Sequence, residues 1–407
     1  MLQKVVVIGH GFTSRLGIIR SVAQVGCEVI VIVMTGRKRF RKSLKDDKPI
    51  DCYSKYVSQI YYCYGRDGEG LVQLLLDKCA VDNQKVIIIP DSDFSAAVID
   101  QNQDRLKAHF LFPNINHRPS AILDWMNKEN QKSLAQEVGL NVANSKVVDV
   151  AHGVYVFPHD IQYPCFCKSL ATIVGGKQLL GKCNNKKELE AVLNRASRLS
   201  QNIRVLIEDY KEIEEEYAVL GFSDGENVLI PAIIKFLQPS KSHVGIALQG
   251  KVIPISGFEQ MIDLFQEFIR RIGFFGIFDI DFYQSGGKFY FGELNLRFGG
   301  SGYAVTRMGV NLPGMFVKTL LGENIDEMNH EVRSSALFVN ERMCLDDWYR
   351  GYISTKEFHR VLETADIRFV SDKEDPAPQD AFDREFKLKR IRKPFMKCYL
   401  RVRALVR

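Results

Sequence analysis

Five polar side chains recur at every second residue of two neighbouring segments: Asp279 and Asp281 in DIDFYQ, then Glu293, Asn295 and Arg297 in GELNLRFGGSG. Side chains on one face of a strand repeat with a period of two, so each set shares a face. The intervening Ser285-Gly286-Gly287-Lys288 has the turn chemistry of a short hairpin, and a three-residue loop sets Asp281 directly across from Glu293. Like charges placed opposite each other repel. Three acids and an amide in an otherwise aromatic hairpin (Phe278, Phe282, Phe289, Tyr290, Phe291) therefore call for a compensating cation. Oxygen ligands without His or Cys favour Mg2+ over zinc, and magnesium held by carboxylates keeps positions for phosphate oxygens. The alternatives are acids that face solvent or pair with Arg297.

The elements that must position this hairpin begin with KVVVIGHGFTSRLGIIRSVAQVGCEVIVI, a strand, glycine turn, amphipathic helix and second strand. Such a βαβ unit predicts a parallel sheet. Its turn runs Gly9, Gly11, Ser14, so the third glycine of the dinucleotide fingerprint is missing, and Arg37, Lys38 and Arg39 follow the second strand instead of a ribose-binding acid. KVIIIPDSDFSAAVI adds a buried strand with Asp91 and Asp93 at its carboxyl end, where ligands of open α/β sheets collect. Helix capping by Asp91 or Ser92 is the other reading.

From Trp125 the texture changes to an amphipathic helix closed by Gly139, and a domain boundary is expected near 115 to 120. YPCFCKSLATIVGGKQLLGKC then reads as strand, glycine-containing turn and strand, with Lys168 at the end of the first strand and Lys177 just past Gly175 and Gly176. It is not a P-loop, because Ala171 replaces the first glycine and Gln178 the Ser or Thr. A glycine and lysine tip still suits phosphates through its N–H and ammonium groups, a solvated hairpin being the alternative. NIRVLIEDYKEIEEEYAVLGF supplies two strands about an acidic link that is either solvated or functional.

Composition narrows the class. At 407 residues the chain exceeds one ordinary core, and 46% hydrophobic with 26% charged residues is ordinary globular usage. The opening MLQKVVVIGHG has too short an apolar run for a secretory signal, and no stretch reaches the roughly eighteen apolar residues of a membrane span, so a cytoplasmic protein is expected. Nine cysteines without CxxC pairs read as reduced thiols, with Cys165 and Cys167 packing in one apolar strand. The net charge of +6 is concentrated between Arg384 and Arg407, where Glu385 is the single acid. That tail is read either as a terminal helix packed on its own protein or as an interfacial helix giving peripheral contact at the inner face of a membrane. Nucleic acid is not an expected partner.

Taken in order over residues 1 to 325, these motifs resemble the ATP-grasp superfamily, whose catalytic core ends on an acid, about a dozen residues and an E-x-N motif often followed by Arg. The resemblance implies an α/β protein with an α+β catalytic part: an ATP-grasp fold behind an N-terminal Rossmann-like parallel-sheet domain. It divides the chain into 1–118 (Rossmann-like), 119–203 (central subdomain with the phosphate loop), 204–330 (metal site) and 331–407 (extension with the basic tail). Metal ligation falls to Asp281, Glu293 and Asn295, and Arg297 with Lys168 to the catalytic step. ATP contacts fall to Lys128, Lys168, Gly175, Gly176, Lys177, Glu208, Asp209, Tyr210, Lys211, Glu216 and Leu294, with Glu215 competing with Glu216 for the ribose.

Within the superfamily the region from Glu293 to Gly322 looks most like carboxylate–amine ligases of the D-aspartate ligase type, although Leu296 stands where Pro is usual. That likeness implies ATP with Mg2+ or Mn2+, an acyl phosphate intermediate and an amide product. Its partners would be a carboxylate and an amine, either small molecules or polymer-linked, with a homodimer as one assembly. Substrate candidates are Asp93, Lys241, Ser242, Gly299, Gly300, Ser301 and Arg307.

Overall fold

The computed structural model describes residues 2–36, 48–170, 179–199, 202–243 and 245–405, with the backbone alone for 395 and 397–405. Runs of Val and Ile make the strands Lys4–Gly9, Glu28–Thr35 and Val86–Pro90 buried on both faces, as parallel strands covered by helices require. Five parallel strands form the first sheet in the order Val57–Tyr64, Glu28–Thr35, Lys4–Gly9, Val86–Pro90, Phe110–Leu111. The order reverses between Lys4–Gly9 and Val86–Pro90, and ligands of open α/β sheets gather outside the carboxyl ends at such a point.

Asp91 itself fills the glycine turn there. Its carboxylate accepts from the His10 N–H at 3.1 Å and the Ser14 hydroxyl at 3.3 Å. A Cβ on Gly9 would lie 1.3 Å from Asp91 Oδ1, so glycine is needed for this close approach. Asp91 thus engages two of the turn's donors and sets a carboxylate where a dinucleotide fold would hold an anion. Ser92 is the N-cap of helix Asp93–Gln101, accepting from the Ser95 N–H.

A second, antiparallel sheet joins Ser145–Val150, Ile203–Asp209, Cys165–Ser169 and Gly181–Cys183, backed by helix Lys186–Ser197. Ile203–Asp209 thus pairs with the preceding segment, and the acidic link 210–214 leads out of the sheet. The sulfurs of Cys165, Cys167 and Cys183 lie within 4.8 Å of one another in the core of this unit. Burial raises all three thiols above their ordinary range, favouring the neutral form.

The third sheet, of nine strands, carries the hairpin Phe274–Ser285 and Lys288–Asn295 at one edge. Glu215–Asp224 runs alongside Phe274–Ser285 from Glu215 opposite Gln284 to Asp224 opposite Phe275. Phe278, Ile280, Phe282, Phe291 and Leu294 pack the hairpin's other face against helix Glu259–Ile272. The segment beyond 331 is integrated with this sheet: Ala336–Val339 pairs with Ala247–Ile253, and Ile367–Arg368 pairs with Ala336–Val339.

Helix Ala377–Leu405 packs its first half on the protein, with Phe386 stacked on Phe358 at 5.2 Å and beside Trp348 at 5.0 Å. Lys389 reaches Asp346 and Glu385, and Lys393 lies 3.8 Å from the Trp348 ring centre. No helix among the described residues is long and apolar enough to cross a membrane.

Arg20 ties the first helix to the distant C-terminal segment: it donates to Asp375 at 2.9 Å and to the carbonyls of Phe369, Val370 and Asp375. Both partners are buried, so removing one leaves an uncompensated charge. Arg20→Leu is expected to cost about 3–5 kcal/mol of stability, read from denaturant unfolding; a loss below about 1 kcal/mol would contradict this role.

Candidate active site

The hairpin turn has two residues, Gly286 and Gly287, both with positive φ, the arrangement that matches strand twist. The expected three-residue loop is therefore replaced by a two-residue turn plus a bulge. Phe282 pairs with Phe291 but Asp281 pairs with Glu293, leaving Gly292 as the extra residue. A side chain there would press on the Asp281 backbone, since a Cβ would lie 2.9 Å from its carbonyl oxygen. The bulge restores the register that sets Asp281 opposite Glu293 and Asp279 opposite Asn295.

Asp279 and Asn295 are deeply placed, while Asp281 and Glu293 are half-buried. Asp279 is 8% and Asn295 9% exposed, and Asp279 Oδ1 is buried without a hydrogen-bond partner among the described residues. Arg297 donates to Asp93 at 2.8 Å and to Asn295 Oδ1 at 3.2 Å. Burial pushes the Asp279 carboxyl up to about 6 despite Arg297, with Asp93 and Glu293 adding to the rise. Asp281 is raised well above the ordinary range by burial, then by the charges of Asp279 and Glu293. Arg297 and Lys128 supply two positive charges against Asp93, Asp279, Asp281 and Glu293, which leaves excess negative charge when all four acids ionise. An orphaned carboxylate oxygen within an all-oxygen donor set fits a hard divalent cation.

Helix Lys128–Glu137 closes one side. Lys128 pairs with Glu293, and Gln131 bonds both the N–H and the carbonyl of Leu294, fixing helix to hairpin. One turn on, Lys132 donates to Glu208 at 2.6 Å, and Lys168 reaches the other oxygen of Glu208 at 2.8 Å. Burial would raise the Glu208 carboxyl, but Lys168 and Lys132 outweigh it and hold it below its usual range.

Asp279 and Asp281 also line one wall of a cleft of about 1540 Å³, bounded elsewhere by the His10–Arg15 turn, Asp91–Asp93 and the C-terminal segment.

No family model matches the chain. It is 26% identical over 215 residues to the carbamoyl phosphate synthase large chain of Gemmatimonas aurantiaca, covering 52% of this chain and 19% of that protein. The chain thus spans about a fifth of that relative's length. Biotin carboxylase from Campylobacter jejuni, solved as a complex named for β,γ-ATP, superposes with a TM-score of 0.62 at 16% identity, over 83% of this chain and 75% of that one. An L-amino acid ligase from Bacillus licheniformis gives 0.61 at 14% identity, over 82% and 79%. The chain has the ATP-grasp fold.

Against the ATP-grasp fold the remaining residues can be located. Glu216 lies on the strand face of Ala218 and Asp281, toward the acids, whereas Glu215 turns to the opposite face and pairs with Lys235 and the Tyr217 hydroxyl. Asp209 accepts from Asn144 at 2.9 Å, the Tyr210 N–H donates to the Pro164 carbonyl, and Lys211 lies over Tyr290. Leu294 points into the apolar core. Gly175, Gly176 and Lys177 lie outside the described residues.

Gly300 and Ser301 line the cleft, and Gly299 presses on the acids: a Cβ there would lie 2.3 Å from Asp279 Oδ2. Three substrate candidates fall elsewhere. Arg307 is paired with Asp372 at 3.2 Å and does not line the cleft. Lys241 and Ser242 lie in a turn whose N–H groups donate to the buried Asp347, and neither side chain lines the cleft; their neighbour His243 does.

Sequence reading missed Lys132, although its spacing of four from Lys128 on a helix was available as a signal. It also missed Arg342, Asp346 and Lys389, which reach the cleft from far along the chain and have no local motif.

Proposed function

We propose that the chain is an ATP-dependent carboxylate–amine ligase that makes an amide through an acyl phosphate. The observation that carries this reading is the cluster of buried Asp279 with half-buried Asp281 and Glu293, its orphaned oxygen and Arg297: Asp279, Asp281 and Arg297 line the cleft, and Glu293 pairs with Lys128 behind them. Asp281, Glu293 and Asn295 would hold Mg2+, with Asp279 beside them. Bound there, the ion supplies charge neutralisation for the phosphoryl group in transfer.

A carboxylate oxygen attacks the γ-phosphorus of ATP and ADP leaves; an amine then attacks the acyl carbon and phosphate leaves. Arg297 and Lys128 orient the transferring group by charge, and Lys168 with Lys132 frames the nucleotide around Glu208. Glu216 is the ribose contact, because it shares the face of the acids. Small residues at Gly299 and Gly300 admit the acyl phosphate close to the backbone.

The finer reading is a D-aspartate-ligase-like enzyme that uses an amino acid as one substrate or tailors a polymer. ADP release with ATP, Mg2+ and pooled carboxylates and amines tests the reaction class. A ligase releases ADP and phosphate only when both partners are present and gains a product mass equal to their sum less water. ADP with a phosphorylated product instead indicates a kinase, and nucleotide binding without turnover a binding module.

A further inference from the structure

Lys168 and Glu208, on the nucleotide side, do not line the cleft of about 1540 Å³. Its space is therefore available to the body of a co-substrate, and it exceeds the roughly 300–1,000 Å³ of ordinary small-ligand pockets. Two of its walls carry opposite charge. Asp279 and Asp281 of the hairpin with Asp91 and Asp93 form one. On the other, five cations (Lys48, Arg342, Arg384, Lys389 and Arg392) face only Asp346 and Glu385.

Those two carboxylates are already engaged by Arg342, at 3.0 and 2.6 Å, and by Lys389. Lys48 and Arg384 flank the same Tyr53 ring at 5.2 and 5.4 Å, an attraction that leaves their charge unneutralised. Exposed Arg392 makes no ion pair among the described residues, and neither do Lys48 and Arg384. Three cations without an acid exceed what one carboxylate neutralises. A phosphate monoester carries about −1.5 to −2 at neutral pH and accepts the guanidinium fork through two oxygens. Tyr62 and Tyr64, stacked at 6.5 Å on the same cleft, add a flat surface for a ring beside the charge.

We propose that Lys48, Arg384 and Arg392 bind a phosphate or diphosphate group carried by the co-substrate whose carboxylate or amine is joined at the metal hairpin. The assignment rests on the ligase reading for the chemistry, but not for the anion site.

The test is calorimetric titration of the full chain with inorganic pyrophosphate, first saturated with Mg2+ and a non-hydrolysable ATP analogue and then without them, alongside malonate as the carboxylate probe. Wild type is expected to bind one pyrophosphate at least tenfold more tightly than malonate. Arg384→Ala/Arg392→Ala should weaken pyrophosphate at least tenfold while analogue affinity moves less than twofold. Arg392→Glu alone, at an exposed position, should reproduce most of the loss and guards against misfolding of the double variant. Vesicles of phosphatidylglycerol that pyrophosphate displaces would identify a lipid-borne source of the same group; absent vesicle binding identifies a soluble one. Pyrophosphate affinity unchanged in both variants, or equalled by malonate, overturns the proposal. If the analogue fails to bind yet the arginine-dependent loss persists, the ligase reading fails and the anion site stands.

Discussion

Glu293→Gln is expected to reduce ATP turnover by about a thousandfold with little change in stability. The substitution keeps shape and removes one charge from a site that pairs with Lys128 and faces Asp281. Two effects on stability oppose each other: Lys128 loses an ionic partner, while Asp279 and Asp281 lose a like charge. The net change should be about 1 kcal/mol or less, seen in denaturant unfolding. Catalysis has no such compensation, because a neutral amide neither holds a divalent ion as tightly nor balances Lys128 during phosphoryl transfer. Turnover within threefold of wild type would count heavily against the assignment.

Magnesium is expected to stabilise the protein more at pH 7.5 than at pH 5.5. The Asp279 carboxyl rises on folding from its ordinary 3.8 to about 6, and Asp281 rises further in the same direction. A carboxyl raised on folding keeps its proton after the unfolded chain has released it. The metal-free protein therefore loses stability as pH climbs from about 4 through about 6, by about 3 kcal/mol for Asp279. Asp91, raised by burial to about 7, extends that loss upward. A cation must displace those protons, so its contribution is small at pH 5.5 and grows as the acids ionise. The Tm increment on adding Mg2+ should be roughly 2–4 °C larger at pH 7.5. Equal increments at the two pH values, or an increment retained by Asp279→Asn/Asp281→Asn, would exclude these acids as the binding site.

The period of two in Asp279, Asp281, Glu293 and Asn295 made the shared face legible, because alternation alone fixes which side chains lie together. The register was legible only in outcome. Its actual cause, a two-residue turn with a bulge at Gly292, depends on backbone crowding against Asp281 that no side-chain pattern records. The βαβ opening was equally plain, whereas Asp91 filling the Gly9 turn required knowing that two strands become neighbours across some eighty residues. Glu208 was named through the resemblance alone, and its clamp between Lys132 and Lys168 joins a helix to a separate sheet. Arg307 and Lys241 were candidates by charge; Arg307 pairs with Asp372, Lys241 is held at its backbone N–H by Asp347, and neither side chain lines the cleft, a placement that depends on the tertiary fold. The tail's basicity was evident, while its stacking on Trp348 and Phe358 and its place beside the cleft follow from tertiary packing.

The central claim is that the hairpin acids grip a divalent cation, and direct titration with Mn2+ followed by electron paramagnetic resonance, with a non-hydrolysable ATP analogue present, tests it most closely. Wild type is predicted to bind Mn2+ with the analogue at least tenfold more tightly than Asp281→Asn/Glu293→Gln. Equal Mn2+ affinity and stoichiometry in the two proteins would contradict it.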